Sequence, residues 1–331
     1  MQEFERENRK RRLRYLLVFL GLALVLCFIL YLNLSIGTVA LRGDAISRTI
    51  FWRIRLPRVC LAMILGGALA LSGFLLQTFF ENPIAGPYIL GISSGAKLTV
   101  TLSMLFTLSQ LQTTSAALNV AAAFLGALLS TGFILFLSKR VQHMASILIG
   151  GIMIGYVTNA ITDFLITFAE DADIVNLHGW SLGSFSGADG QDVLVSALIV
   201  GVTTGLIFRM SKQIGAFRLG EGYAQSLGVQ VKRFRTILIL LSSILSATVT
   251  AFAGPISFVG VAAPYIMRRL LRTSEPRVLI PAAFLGGAAF TAACDLLART
   301  LLSPTELNIS TVTSLIGAPI VLWMLLQEHR R

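Results

Sequence analysis

Residues 59–80 read VCLAMILGGALALSGFLLQTFF and contain no Asp, Glu, Lys or Arg. A helix needs about 20 consecutive apolar residues to cross the hydrocarbon core of a bilayer, so this stretch is long enough to span it. Because that core offers no water to bind exposed backbone amides, the stretch must be helical there. Its small residues between Gly66 and Gly73 also predict close packing against a neighbouring helix.

The same pattern recurs along the rest of the 331-residue chain. Further windows without an acidic or basic residue cover 15–41, 98–138, 141–162, 236–267 and 307–327. Hydrophobic residues make up 55% of the chain and charged residues only 13%, about half the charged fraction of a soluble domain. This composition argues against a large soluble protein and predicts an all-α, polytopic membrane protein.

Two of the windows are long enough to hold two spans each. A polar run at 107–115 divides the window 98–138, and Gly254-Pro255 divides the window 236–267 because proline cannot continue the helical hydrogen bonds. We therefore predict ten transmembrane helices. They cover about 15–35, 60–80, 90–107, 116–138, 144–167, 192–209, 235–254, 257–271, 278–297 and 309–327.

The predicted spans form a single transmembrane domain at 15–327, between a basic N-terminal segment at 1–14 and a short tail at 328–331. The first apolar stretch is too long for a signal peptide and has no cleavage site, so it is predicted to be a retained helix. The eighth span, 257–271, is too short to cross alone and is expected to be buried among the others.

An even number of spans places both termini on one side of the membrane. Basic residues are enriched in cytoplasmic loops, and cytoplasmic termini place most of the 27 Lys and Arg residues there. The net charge of +11 then reflects basic loops, and no nucleic-acid partner is expected. The arginines left on the outer side are Arg42, Arg48, Arg53, Arg55, Arg58 and Arg299. An acidic partner would explain them, and so would a solvated or lipid-phosphate-binding surface.

Short motifs follow one another over about residues 50–325. They are RLPR at 55–58 with GGALALSG at 66–73 and NPIAGP at 82–87, WSLGS at 180–184, LGEGYAQSLGV at 219–229, AGPISFVGV at 253–261 with PYIMR at 264–268, CDLLAR at 294–299, and GAP at 317–319. In this order they resemble the FecCD family. Its members are permease subunits of type II ABC importers for ferric siderophores, haem and cobalamin.

The resemblance implies a ten-helix permease in a bacterial inner or plasma membrane, paired with a second permease around a central pathway. An external binding protein would deliver the ligand, and two cytoplasmic ATPase subunits would drive transport. The chain itself would bind no cofactor and catalyse no reaction, because ATP would be used by the ATPase partner. A ferric siderophore is the first expected cargo, with haem and cobalamin as alternatives, and both a homodimer and a heterodimer remain open.

The resemblance also implies that Arg55, Arg58 and Arg299 dock the binding protein. Arginine is always charged and forms bidentate hydrogen bonds with carboxylates, which suits contacts with acidic residues of a partner. For Arg299 the alternative is a side chain that extends to the membrane interface. For all six outer arginines, charge alone leaves the partner and the solvated surface equally open.

The segment at about 215–230 matches the family's cytoplasmic coupling segment. Its implied ATPase contacts are Gly220, Glu221, Ala224, Leu227 and Gly228. A short helix would present Leu227 as an apolar anchor and Glu221 as a polar contact, and Gly228 would end it. Gly222 weakens this helix by about 1 kcal/mol relative to alanine. An ordinary amphipathic surface helix is the alternative.

Two other classes of protein fit less well. An ion-coupled secondary transporter usually carries paired ionisable residues near the bilayer midplane. Here Asp163 and Asp295 lie towards span ends, and Glu81 precedes a turn. A membrane enzyme would need a catalytic or metal-binding motif, but the three histidines are far apart and no H-E-x-x-H sequence occurs. The sequence also lacks G-x-x-x-x-G-K-[ST], so an ATP-driven mechanism requires a separate ATPase chain.

Overall fold

The computed structural model of the protein describes residues 2–37, 44–111, 116–141 and 144–328. Helices account for most of these residues, and no strand occurs within the described ranges. The α-helices are α1 Gln2–Ser35, α2 Ala45–Ile50, α3 Leu56–Phe79, α4 Ile92–Leu111, α5 Ala116–Arg140, α6 Met144–Ile166, α7 Asp171–Ser181, α8 Gly190–Arg209, α9 Ser211–Phe217, α10 Glu221–Ser226, α11 Val231–Ala253, α12 Val259–Leu271, α13 Pro276–Thr300 and α14 Ile309–Glu328. The predicted all-α class is confirmed.

Each of the ten predicted spans coincides with one helix of the structure. Eight of these helices are long and apolar enough to cross a membrane, and α4 and α12 complete the set. The short α12 packs against α3 and α13, as its length predicts. Four predicted features lie outside the described residues: Arg42, Arg330, Arg331 and positions 112–115 of the polar run.

The second span begins much earlier than the predicted residue 60. Helix α2, a π-helical turn at Phe51–Arg55 and α3 form one continuous rod from Ala45 to Phe79. Its 35 residues would extend roughly 50 Å, whereas the hydrocarbon core is about 30 Å thick. Three arginines between residues 48 and 55 interrupt the hydropathy signal but not the helix, because a helix can project beyond the hydrocarbon core.

Helix α3 lies at the centre of the bundle, packed against α8, α11, α12 and α13. Its glycines permit this. A Cβ atom on Gly66 would lie 2.6 Å from the carbonyl oxygen of Gly287 on α13, and one on Gly73 would overlap the backbone of Gly260 on α12. The packing role predicted for these small residues is therefore present in the structure.

Serine side chains add polar contacts to the central packing. The Ser72 hydroxyl donates to the carbonyl oxygen of Ser242 on α11 at 2.8 Å, and the Ser242 hydroxyl donates back to Ser72 at 3.1 Å. Both residues are fully buried. Reciprocal bonds of this kind satisfy hydroxyl groups that have no access to water and hold the two helices in register.

The predicted interruption at Gly254-Pro255 separates α11 from α12. Gly254 has a φ of 74°, a conformation that favours glycine, and its backbone abuts the carbonyl of Trp180. The Ser184 amide donates to the carbonyl oxygen of Ala253 at 2.9 Å. The 180–184 motif therefore packs against the interruption and satisfies backbone groups that a continuous helix would satisfy itself.

We predict that Gly73→Ala lowers the free energy of unfolding by about 1–3 kcal/mol, because the added methyl group overpacks the contact with Gly260. Gly205→Ala on α8 is the matched control, since nothing lies within 4 Å of its added Cβ. That change should be neutral or slightly stabilising. Denaturant titration in detergent micelles measures both, and equal effects would contradict the proposed packing.

Candidate functional site

The side chain of Arg58, in the first turn of α3, lies between two carboxylates. Its Nε donates to both oxygens of Asp295 on α13 at 3.1 Å, and its Nη2 donates to Oδ1 at 2.9 Å. Its Nη1 donates to both oxygens of Glu306, also at 3.1 Å. Asp295 is almost fully buried, whereas Glu306 is partly exposed on the segment between α13 and α14.

The other two predicted docking arginines hold the end of α1. Arg55 Nη1 donates to the carbonyl oxygens of Leu34 and Ser35 at 2.7 and 3.1 Å. Arg299 Nη2 donates to the backbone oxygen and to Oδ1 of Asn33 at 2.6 and 2.9 Å. Both contacts place a cation where the last carbonyl groups of a helix carry partial negative charge.

The structure thus brings Arg55, Arg58 and Arg299 into one cluster with Asp295 and Glu306, and the charges of the other four all act on Arg299. We call these five residues the arginine cluster. Arg55 and Arg58 are only 5% and 8% exposed. Their docking role stays a prediction, and the structure adds a second role for them, which is to hold α1, α3 and α13 together.

Two outer arginines that the resemblance did not assign to docking are exposed at this end of the bundle. Arg48 and Arg53 project from the rod that precedes α3, beside the exposed side chain of Trp52. Sequence reasoning also missed the roles of Asp295 and Glu306. They are 237 and 248 residues from Arg58 along the chain, so no local pattern reveals the pairing.

The predicted coupling segment forms two short helices, α9 and α10. Leu219, Tyr223 and Leu227 are 70%, 51% and 59% exposed. Leu219 precedes α10, Tyr223 lies within it and Leu227 follows it, and we call these three exposed side chains the coupling face. Ala224 is instead fully buried and anchors α10 to the bundle, and its contact with the ATPase stays a prediction.

Two glycines bound this short helix, and Gly228 ends it as predicted. Gly220 has a φ of 112° before α10, and Gly228 has a φ of 82° after it. Both values favour glycine over any residue with a side chain. Glu221 forms an ion pair with Arg235 on α11, with both side chains about a third exposed. The carboxylate predicted to contact a partner therefore already has an internal partner.

Helix α9 joins the coupling face to the rest of the bundle. Phe217 packs on Phe234 of α11 with ring centroids 5.2 Å apart. Arg218 Nη1 donates to the carbonyl oxygen of Ser274, between α12 and α13, at 2.7 Å. Burial lowers the pKa of Arg218 to about 10, and repulsion from Arg268 acts in the same direction. Arg218 still carries its charge at neutral pH.

The two sites lie at opposite ends of α13. Pro276, at its first turn, packs beside Gly215 of α9, and Arg299, in its last turn, belongs to the arginine cluster. At 1.5 Å per residue these positions are roughly 35 Å apart, about the thickness of a bilayer core. This arrangement suits a transport subunit with partners on both sides of a membrane.

Comparison with known proteins identifies the family of the chain. The model of the FecCD transport family matches residues 15–327. The chain is 34% identical over 325 residues to the hemin transport system permease protein HmuU of Yersinia pestis, covering 95% of this chain and 97% of that protein. It is 32% identical over 325 residues to the vitamin B12 import system permease protein BtuC of Vibrio cholerae, covering 98% and 96%.

A solved inward-facing ABC transporter of the metal-chelate type shares the fold. It superposes with a TM-score of 0.86 at 27% identity, covering 94% of this chain and 99% of that one. The apolar helices and the permease relatives together identify a multi-pass inner-membrane transport permease. The chain belongs to the FecCD transport family and is a permease of a type II ABC importer.

We predict that Asp295→Leu lowers the free energy of unfolding by about 3–5 kcal/mol, because it leaves a buried arginine without its main partner. The double variant Arg58→Met with Asp295→Leu should recover most of that loss, since it removes both charges. Glu306→Gln should cost less than about 1 kcal/mol because that carboxylate is 43% exposed. Denaturant titration of the three variants tests this order, and a double variant no more stable than the single one would contradict it.

Proposed function

We propose that the protein carries a metal chelate across the membrane, with a ferric siderophore as the first candidate. The relatives support the chemical class, because one is named for hemin, which is an iron chelate, and another for vitamin B12, which is a cobalt chelate. The solved transporter of similar fold is also of the metal-chelate type. Haem and cobalamin, for which these two relatives are named, are the second candidate.

The observation that carries an ATP-driven mechanism is the coupling face. Three large side chains project from a segment that is tied to α11 and to the α12–α13 connection. Exposed apolar clusters of this kind mark protein interaction surfaces, and the sequence has no phosphate-binding loop of its own. We propose that one ATPase subunit docks here on each of two paired permeases.

We further propose that a binding protein docks at the opposite end. Arg48 and Arg53 are exposed there, and Glu306 leaves one side of the arginine cluster within reach of a partner. Cations at an exposed rim steer an acidic partner and fix its orientation. In this arrangement both termini and the coupling face lie in the cytoplasm, which agrees with the excess of basic residues predicted for that side.

We predict that Leu227→Asp weakens binding of the ATPase subunit by roughly 30-fold or more, the loss expected when a central apolar anchor is removed from an interface. The stability of the permease should not change, because Leu227 is 59% exposed. Leu227→Met keeps an apolar side chain of similar volume and serves as the matched control. Co-purification and ATP-dependent uptake measure the effect, and normal coupling in Leu227→Asp would exclude this face as the docking site.

Uptake by proteoliposomes that contain the permease and its ATPase tests the cargo. We expect the cognate binding protein to support faster ATP-dependent uptake of a ferric siderophore than of haem or cobalamin. Faster uptake of haem or cobalamin would replace the first candidate by the second. Uptake that continues without the ATPase would contradict the ATP-driven mechanism and support ion-coupled transport.

A further inference from the structure

Glu306 is the outermost member of the arginine cluster. Its side chain is 43% exposed, whereas those of Arg58 and Asp295 are 10% and 2% exposed. It lies on the short connection between α13 and α14, two residues after Pro304. A group that approaches Arg58 from this connection therefore meets the Glu306 carboxylate first.

The two carboxylates bind Arg58 in different ways. Asp295 takes the edge formed by Nε and Nη2, where two nitrogens face one carboxylate. This is the bidentate arrangement that gives arginine–carboxylate pairs their strength and orientation. Glu306 is bound through Nη1 alone. Asp295 therefore fixes the guanidinium group, while Glu306 occupies a second, more accessible position on it.

We propose that Glu306 occupies the position on Arg58 that a carboxylate of the external binding protein takes when that protein docks. The inference rests on the proposed docking at this end. The exchange replaces one carboxylate by another on Nη1, so the buried guanidinium group never loses its second partner. Asp295 stays bound throughout and keeps α3 and α13 together.

Charge also favours the exchange. The three arginines and two carboxylates of the arginine cluster leave one excess positive charge, and the exposed Arg48, Arg53 and Asp44 at the same end together add one more. An acidic residue of a partner is therefore attracted to the rim before it reaches Arg58. Glu306 lowers this attraction and competes for the same nitrogen, so it limits the affinity of docking.

Docking should also move the segment that carries Glu306. The Leu307 amide donates to the carbonyl oxygen of Ala298 at 2.8 Å, which ties the connection back to α13. Residue 309, three positions after Glu306, begins α14. Release of the carboxylate removes the ion pair that ties this connection to α3, so amide hydrogen exchange over 301–308 should become faster in the complex.

The test compares Glu306→Gln with Glu170→Gln in the full-length permease, reconstituted in nanodiscs and titrated with its cognate binding protein. Glu170 is also exposed and precedes α7. Its substitution by glutamine removes the same charge at a residue that does not contact Arg58. We expect Glu306→Gln to lower the dissociation constant roughly twofold to fivefold, the range that corresponds to an exposed ion pair. Glu170→Gln should leave it unchanged.

The same titration of the double variant Arg58→Met with Asp295→Leu, carried out with and without Glu306→Gln, completes the test. With Arg58 absent, Glu306→Gln should tighten binding less than it does in the unaltered permease, because only its effect on the charge of the rim remains. Equal tightening in both backgrounds would overturn the exchange. If Glu306→Gln fails to tighten binding while the double variant weakens it, docking at Arg58 stands and the exchange is overturned. If the double variant binds as tightly as the unaltered permease, docking at Arg58 itself is overturned, whatever Glu306→Gln does.

Discussion

Backbone lies against backbone where α3 crosses α13, because glycine occupies both sides of the contact at Gly66 and Gly287. In lipid, helices gain no hydrophobic free energy by associating, so close packing and polar contacts hold them together. Arg58 precedes Gly66 by eight residues, and Asp295 follows Gly287 by eight. In two antiparallel helices this equal spacing of about two turns brings the ion pair into register with the glycine contact.

The ion pair between Arg58 and Asp295 depends on that packing. A charged residue at a membrane interface is expensive to bury unless a partner is held at hydrogen-bond distance. The glycine contact fixes the distance between the helices, and the Asp295 carboxylate then holds Arg58 through two nitrogens. The arginine cluster thus holds two helices together and also carries an exchangeable carboxylate. The first role uses Nε and Nη2 of Arg58, and the second uses its Nη1.

Much of this fold could be predicted from the sequence, because span length and charge are local properties. The ten spans, the interruption at Gly254 and the end of α10 at Gly228 all follow from residues near one another in the chain. The start of the second helix could not be predicted in this way, because arginines mask a helix that projects beyond the hydrocarbon core. Nor could the partners of Arg58, since Asp295 and Glu306 meet it only after the bundle has formed.

Helix α13 joins these observations in one further way. Gly287, where α3 touches it without intervening side chains, lies close to its midpoint, with α9 beside one end and the arginine cluster at the other. This contact is the point about which a tilt of α13 would take place. A tilt of about 5° around that point moves each end of a rod of this length by roughly 1.5 Å, in opposite directions. Displacements of this size are typical of helix shifts in regulated proteins. A small displacement of α13 at one membrane face would therefore be accompanied by a displacement in the opposite direction at the other face.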